Sequence, residues 1–400
     1  MSSETSRLPR SLVLLMAMAT GLAVASNYYA QPLLQMIGKE LGINEGHAGL
    51  IVTAAQLAYA AGLMLLVPLG DRLDRRTLVI SLYLFSAVGL VINGLANNFT
   101  WLLIGTVISG ACSVCAQILV PFAATLAAPQ ERGRAIGTVM SGLLLGILLA
   151  RTVAGVLADI GGWHCVYWVA AALIVLVSAL LWKRLPSHPG QSSLSYPRLV
   201  GSVLVLLKED PVLRARSVLG GLLFAGFSIF WTTLAFLLAG PDYGYSPSVI
   251  GLFGLIGAAG ALTANLSGKL SDHGRGHWVT WGGLTVLLLS WLLMWFAPTS
   301  LIALIVGVIL LDVAVQGVHI GSQSVIYARN PEARNRITSA YMTCYFIGGA
   351  LGSSAGAAAY DMAGWNGVAA VGSAVAVLTL LWTLLTAHHE SNEAKAATSR

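Results

Sequence analysis

Long apolar stretches recur along the chain and are separated by short polar segments. A helix needs about 20 mostly apolar residues to cross the hydrocarbon core of a bilayer, whereas the strands of a membrane barrel would show alternating segments of about ten residues. The pattern therefore predicts an all-α membrane protein with about twelve transmembrane helices. The predicted spans are 11–37, 47–69, 77–97, 100–127, 134–160, 163–183, 215–240, 247–270, 278–296, 299–328, 336–361 and 364–386.

The composition supports the same class. Of the 400 residues, 56% are hydrophobic and only 10% are charged, and the mean hydropathy is +0.78. A soluble domain carries about 25% charged residues, so this chain has too few of them to cover a surface that faces water. Its 44 glycines suit helices that pack closely in a bilayer.

The chain matches itself when it is shifted by about 202 residues. The matching pairs are Pro129 and Pro331, Arg132 and Arg334, Arg134 and Arg336, Met140 and Met342, Gly146 and Gly348, Asp159 and Asp361, and Gly162-Trp163 and Gly364-Trp365. Parallel repeats of this kind are a known transporter architecture, in which two bundles move around a central site. The predicted domains are an N-terminal six-helix bundle at 1–183, a cytoplasmic linker at 184–214, a C-terminal six-helix bundle at 215–390 and a cytoplasmic tail at 391–400.

Almost all basic residues lie in alternate loops and in the two tails. The opposite loops hold only Lys39, and Arg151 lies inside a span. This bias predicts a cell (inner or plasma) membrane protein with both termini in the cytoplasm. It also accounts for the net charge of +6 without a nucleic-acid partner. Cys112 and Cys115 have the spacing of a redox or metal pair, but no second pair or histidine cluster accompanies them, so we expect no metal and no cofactor.

The turn after the second predicted span is rich in charge, because residues 68–76 read PLGDRLDRR. An acid and several arginines at a helix junction can form a charged latch that holds one state closed. The alternative interpretation is that these charges only orient the protein in the membrane.

This turn resembles the signature loop of the major facilitator superfamily, Gly-x-Leu-Ala-Asp-Arg-x-Gly-Arg-Arg, which joins helices two and three. The matching residues are Asp71, Arg72, Arg75 and Arg76. Val67 and Asp74 stand where the family usually has glycines. A weaker copy at 268–275 contains Asp272. The resemblance implies a two-bundle fold and a cytoplasmic latch.

Other segments resemble the arabinose-efflux and drug:proton antiporter branch of that superfamily. They are NYYAQPL at 27–33, GILLARTVAG at 146–155 and GGALG at 348–352, together with Asp312, Gln316 and Gln323. The branch usually has Gly-Pro in helix five, where this chain has Ala150-Arg151, and often an arginine in helix four, near Thr106 in this chain. The resemblance implies alternating access in which protons drive the efflux of a small drug-like or sugar-like solute, and a transporter that functions as a monomer in the lipid bilayer.

A second hypothesis is a proton-coupled importer of a sugar or an organic anion, with Arg151 contacting the anion. A membrane enzyme or a primary pump is disfavoured by the sequence. It contains no His-Glu-x-x-His pattern, no Gly-x-Ser-x-Gly elbow and no phosphate-binding loop.

A polar stripe runs along the tenth predicted span. It consists of Asp312, Gln316, His319 and Gln323, whose spacing places them on one helix face. Ionisable residues inside a span cost about 2.5–3.5 kcal/mol and usually face a cavity. We therefore predict that this face lines a cavity rather than packing against another helix, and the resemblance agrees. Asp312 is the candidate proton carrier, and His319 is either its assistant or a structural group.

Further polar and aromatic residues are candidates for a substrate cavity. They are Asn27, Tyr28, Gln31, Gln56, Tyr59, Gln117, Arg151, Trp231, Thr232, Tyr341 and Tyr345. An aromatic surface with few charges suits an amphiphilic organic solute. Each of these residues has an alternative role in packing, and Arg151 can also extend toward the membrane surface.

Overall fold

A computed structural model describes residues 9–128, 130–190, 195–257, 276–329 and 334–398, except for the side chains of 276, 328, 329, 334, 335 and 387–398. Within these ranges every regular element is helical. Seven α-helices precede the linker: α1 (Arg10–Ala25), α2 (Leu34–Leu41), α3 (Glu45–Leu65), α4 (Arg75–Leu95), α5 (Phe99–Cys112), α6 (Cys115–Leu126) and α7 (Arg132–Arg184). The linker contains α8 (Tyr196–Glu209), and α9 (Pro211–Ala239), α10 (Pro247–Ile256), α11 (Gly276–Met294), α12 (Leu301–Arg329) and α13 (Arg334–Thr398) follow it.

Two predicted spans are each built from two helices. The first is divided into α1 and α2 by a short 3₁₀ turn at Gln31–Leu33, whose second residue is Pro32. The fourth is divided into α5 and α6 at residues 113–114. The α-helix already ends at Ala25, and residues 26–30 form turns before the 3₁₀ segment; Pro32 lacks a backbone N–H and so cannot donate an α-helical hydrogen bond across this break.

The two longest helices bend where the sequence predicts a boundary between spans. In α7 the backbone leaves the helix at Gly161 and Gly162, and Gly162 has φ of +74°. In α13 it does so at Ala363 and Gly364, and Gly364 has φ of +58°. Only glycine adopts such angles without strain. The bends fall at equivalent positions of the sequence repeat, and they divide each long helix into two membrane-length segments.

By length and composition, eight helical stretches of the described residues are able to cross a membrane. Two of these are the bent helices α7 and α13, and shorter apolar helices are present at α1 and α10. Large apolar side chains such as Leu14, Phe85 and Leu385 are 60% or more exposed, as expected where lipid is the solvent. The prediction of an all-α membrane protein with about twelve spans is confirmed.

The first compact unit comprises Met1–Leu41, Ala54–Val200 and Ser246–Gly254. In it, α1 packs along α7 at a glycine contact, since a Cβ at Gly146 would overlap the backbone of Gly21. Small residues permit this close approach of two helices. Asp159 Oδ2 accepts a hydrogen bond from the backbone N–H of Ser248, at 3.1 Å, in the first turn of α10.

The second compact unit comprises Gly42–Thr53, Gly201–Tyr245 and Leu255–Arg400. Here α9 packs along α13, and a Cβ at Gly348 would overlap the backbone of Gly221. Asp361 Oδ2 accepts a hydrogen bond from Asn44 Nδ2 at 3.1 Å, beside the start of α3. Each unit includes a short segment from the other predicted bundle, so the domain boundaries predicted from the sequence stay a prediction.

Candidate functional site

Asp312 is buried in the second unit, on α12. Its side chain is 3% exposed. The indole N–H of Trp231, on α9, donates to Asp312 Oδ1 across 3.4 Å. α9 itself is almost entirely buried, with a nearly continuous series of buried residues from Val212 to Leu238. A carboxyl group inside a membrane-spanning helix is rare and usually marks a substrate or proton pathway.

His319 lies two turns further along α12, about 10 Å from Asp312 along the helix axis. Its Nδ1 is 3.0 Å from the hydroxyl oxygen of Tyr341. Its ring centroid is 4.6 Å from that of Tyr345. The structure therefore joins three of the predicted site residues, and it gives His319 a hydrogen-bonded and stacked environment. Gln323 lies on the same helix, with its amide nitrogen 4.0 Å from the sulfur of Met342.

Phe224 belongs to this aromatic cluster, although the sequence analysis did not select it. Its ring stacks on Tyr345 with centroids 4.1 Å apart. Phe227 in turn stacks on Phe224 at 5.4 Å. The signal was present in the sequence, because Phe224, Phe227 and Trp231 recur at helical spacing along α9.

Arg151 forms a second polar cluster, which lies in the first unit. Its Nε donates to Gln31 Oε1 at 2.6 Å, and its guanidinium carbon lies 4.9 Å from the centre of the Tyr28 ring. The side chain is 3% exposed, so it is held inside the unit and does not extend to the surface. Its partners supply a hydrogen bond and a cation–π contact, both favourable for a cation away from water.

Other predicted cavity residues of the first unit form pairs. Asn27 Nδ2 donates to Ser113 Oγ at 2.9 Å, and Gln117 Nε2 donates to the Tyr59 hydroxyl at 3.3 Å. Gln56 is buried nearby on α3. Ser113 was not selected from the sequence. It lies at the break between α5 and α6, where its hydroxyl also donates to the Gly110 carbonyl at 2.8 Å.

The charged loop between α3 and α4 contains an ion pair. Arg75 and Asp71 lie 3.9 Å apart, and both side chains are partly exposed. Arg75 also donates to the Thr125 hydroxyl at 3.2 Å. Arg76 donates to the Trp182 carbonyl, whereas Arg72 is exposed. The fifth predicted latch residue, Asp272, lies outside the described residues.

Cys112 and Cys115 are free thiols. In the part of the chain that the structure describes, no group of three His, Cys, Asp or Glu side chains is placed to hold a metal ion.

The described residues form a helical membrane fold with buried polar clusters around Asp312 and Arg151, an arrangement typical of multi-pass membrane transporters. Residues 16–353 match the model of the Major Facilitator Superfamily, and the chain belongs to this superfamily. The resemblance inferred from the loop motif is thereby confirmed. The chain is a transporter and not an enzyme.

Several relatives and solved structures are similar to this chain. "Uncharacterized transporter YgaY" of Escherichia coli O157:H7 is 54% identical over 381 residues, covering 95% of this chain and 97% of that protein. A "Probable sugar efflux transporter" of Helicobacter pylori is 23% identical, covering 88% of each chain. A bacterial homologue of the human lysosomal transporter Spinster, 17% identical, has a similar fold, with a TM-score of 0.76 and coverage of 94% of this chain and 96% of that one.

Proposed function

We propose that this transporter uses a proton gradient to export a small organic solute by alternating access. It acts as a monomer in the inner membrane with both termini in the cytoplasm. Asp312 binds and releases the coupling proton. The observation that carries the proposal is the burial of this carboxyl group within a membrane-spanning helix, with the Trp231 indole N–H directed at it.

The energetics support a functional role for Asp312. A buried carboxyl group within a membrane span is costly, and Asp312 lies inside α12 with 3% of its surface exposed. The indole N–H of Trp231 donates to this carboxyl group across 3.4 Å, which is a long hydrogen bond. Groups kept at such a cost usually serve transport or proton transfer.

The aromatic cluster supports a solute with an apolar face. His319, Tyr341, Tyr345 and Phe224 bring ring surfaces and a few hydrogen-bonding groups together in a largely buried cluster. Such a mixture suits a sugar-like or drug-like molecule, since rings pack against its carbon skeleton while hydroxyl and imidazole groups select its polar atoms. The Helicobacter pylori relative described as a probable sugar efflux transporter favours the same class of solute and the same direction of transport.

A second candidate function is proton-coupled import of a sugar or an organic anion. Its supporting observation is the buried guanidinium of Arg151, which Gln31 and Tyr28 orient. A cation fixed in a low-dielectric environment attracts an anionic group far more strongly than the same cation in water. The cytoplasmic latch of Asp71, Arg72, Arg75, Arg76 and Asp272 is common to both proposals.

The test is flux of a radiolabelled sugar and of a fluorescent dye panel in proteoliposomes with an imposed pH gradient. The wild-type protein should move solute against its concentration gradient, and a protonophore should abolish this. Asp312→Asn should lose gradient-driven flux but retain exchange between equal pools. The matched control is Asp242→Asn, an exposed carboxylate in the second unit. Gradient-driven flux of normal pH dependence in Asp312→Asn would reject the proton role.

A further inference from the structure

Asp74 lies in the charged loop between α3 and α4, at a position where the family usually has a glycine. Its backbone has φ of −61° and ψ of 119°. This is extended backbone that any residue adopts, so the position does not require glycine here. The departure therefore adds a carboxylate without backbone strain, and the contacts of that carboxylate indicate its role.

The two carboxylate oxygens of Asp74 contact two different segments. Oδ1 accepts from the backbone N–H and the hydroxyl of Thr77, both at 2.9 Å, and so caps the N-terminus of α4. Oδ2 accepts from the Ser187 hydroxyl at 2.7 Å and from the His188 backbone N–H at 2.6 Å. One side chain thus joins the start of α4 to the first residues of the linker.

The linker returns further contacts to the same loop. The His188 carbonyl accepts from the backbone N–H of Arg75 at 3.1 Å. The His188 ring lies 5.7 Å from the ring of Phe122, centroid to centroid. Gly190 lies so close to Arg72 that a Cβ would overlap the Arg72 backbone. Residues 187–190 therefore lie against the loop through hydrogen bonds in both directions and a close backbone contact.

We propose that Asp74 docks residues 187–190 on the loop between α3 and α4, forming a linker clasp that keeps the start of the linker attached to the first unit. All partners of the clasp belong to that unit. The clasp sets how much of the linker is free to extend, because four released residues would add up to about 13 Å of chain. This inference does not depend on the solute or on proton coupling.

The charge of Asp74 strengthens the clasp. Partial burial acts to raise its pKa, but hydrogen bonds from Ser187, Thr77 and His188 outweigh burial and lower the pKa to about 2. The group is therefore ionised at neutral pH. Hydrogen bonds to an ionised acceptor are stronger than those between neutral groups.

Asn and Gly variants separate the clasp from the helix cap. Asparagine is a good N-cap, so Asp74→Asn can retain the bond from Thr77. Its amide NH₂ would then face the His188 N–H donor, and that bond would be lost. Asp74→Gly, the residue usual in the family, removes both contacts. Gly190→Ala disturbs the clasp without changing Asp74.

The experiment is hydrogen–deuterium exchange of the purified full-length protein in detergent, followed by mass spectrometry of peptides spanning 185–190. We expect exchange to be roughly tenfold faster in Asp74→Asn, Asp74→Gly and Gly190→Ala than in the wild type. Asn98→Ala is the matched control, since Asn98 caps α5 by accepting from the Trp101 backbone N–H and follows the opposite end of α4 from Asp74. Asp71→Asn controls for loss of a neighbouring charge.

Unchanged exchange of this peptide in Asp74→Asn and Asp74→Gly would overturn the clasp. Equally fast exchange in Asn98→Ala or Asp71→Asn would also overturn it, because the effect would then be general destabilisation. If Asp74→Gly does not fold, the exchange of the 185–190 peptides in Asp74→Asn and Gly190→Ala tests the clasp instead.

Discussion

The two units repeat their packing but not their polar chemistry. In the first, α1 meets α7 where Gly21 faces Gly146, and in the second, α9 meets α13 where Gly221 faces Gly348. Asp159 and Asp361, also related by the repeat, each accept a hydrogen bond near the start of a short helix or span. These contacts are shared because close helix packing admits few alternatives.

The buried charges differ between the units. Among the described residues, the first unit buries a cation, Arg151, whereas the second buries an acid, Asp312, and also a cation, Arg216, whose Nη1 donates to the Thr280 hydroxyl at 3.1 Å. The partners differ as well: an amide and a tyrosine ring surround Arg151, and an indole N–H contacts Asp312. The comparison shows that the two units share glycine contacts between their long helices but do not share their buried charges, and we expect a transport function to depend on the charges that differ.

The largest expected effect comes from breaking the shared packing. Gly146→Leu and Gly348→Leu should each destabilise the protein by about 3 kcal/mol, because the added side chain has no space. Thermal unfolding in detergent measures this. The controls Gly137→Ala and Gly282→Ala introduce a Cβ that meets nothing within 4 Å and should be neutral or slightly stabilising. If only one of the two Leu substitutions caused a large loss of stability, the helix packing of the two units would not be equivalent.

The next effect tests the difference in charge. Arg151→Gln should cost about 2 kcal/mol of stability, because it removes a charge-assisted hydrogen bond and a cation–π contact. In proteoliposomes it should change KM for solute but preserve the pH dependence of flux, whereas Asp312→Asn should remove that dependence. Loss of pH dependence in Arg151→Gln would mean that the two charges do not have separate roles.

A smaller effect is expected within the aromatic cluster of the second unit. Tyr341→Phe removes the hydroxyl that lies 3.0 Å from His319 and should cost about 1 kcal/mol. If His319 is mainly structural, the variant should transport with an unchanged pH profile. A shifted pH profile would instead indicate that His319 takes part in proton transfer.

The smallest effect concerns the ion pair of the loop between α3 and α4. Asp71→Asn should change the free energy of unfolding by no more than about 0.5 kcal/mol, since an exposed pair is screened by solvent. Raising the salt concentration should likewise change the free energy of unfolding of the wild type by no more than about 0.5 kcal/mol. A loss above about 1 kcal/mol would show that the pair acts as part of a larger network.

The linker clasp should tolerate acid. The pKa of Asp74 is lowered from 3.8 to about 2 in the folded protein, so its contribution is complete above pH 3.8 and is lost as the pH falls toward 2. Protection of the 185–190 peptide, corrected for the intrinsic exchange rate, should therefore be constant from neutral pH down to about 4. Loss of protection near pH 6 would mean that protonation of a group other than Asp74 releases the clasp.

Much of the fold could be predicted because it depends on local pattern. The membrane spans follow from hydrophobic runs, and the bends at Gly162 and Gly364 follow from a glycine pair and from its repeat. The break at Gln31–Leu33 was missed although Pro32 signals it, because the surrounding apolar run conceals the interruption. The break at 113–114 has a weaker signal, since only the serine at 113 marks it.

The polar stripe shows how far the sequence alone reaches. Helical periodicity determined that Asp312, Gln316, His319 and Gln323 share one face of one helix, because side-chain direction repeats every 3.6 residues. Only the tertiary structure decided what each side chain contacts. Trp231 is 81 positions from Asp312, Gln31 is 120 from Arg151, and Ser187 is 113 from Asp74. Contacts over such separations depend on how helices pack, which local pattern does not encode.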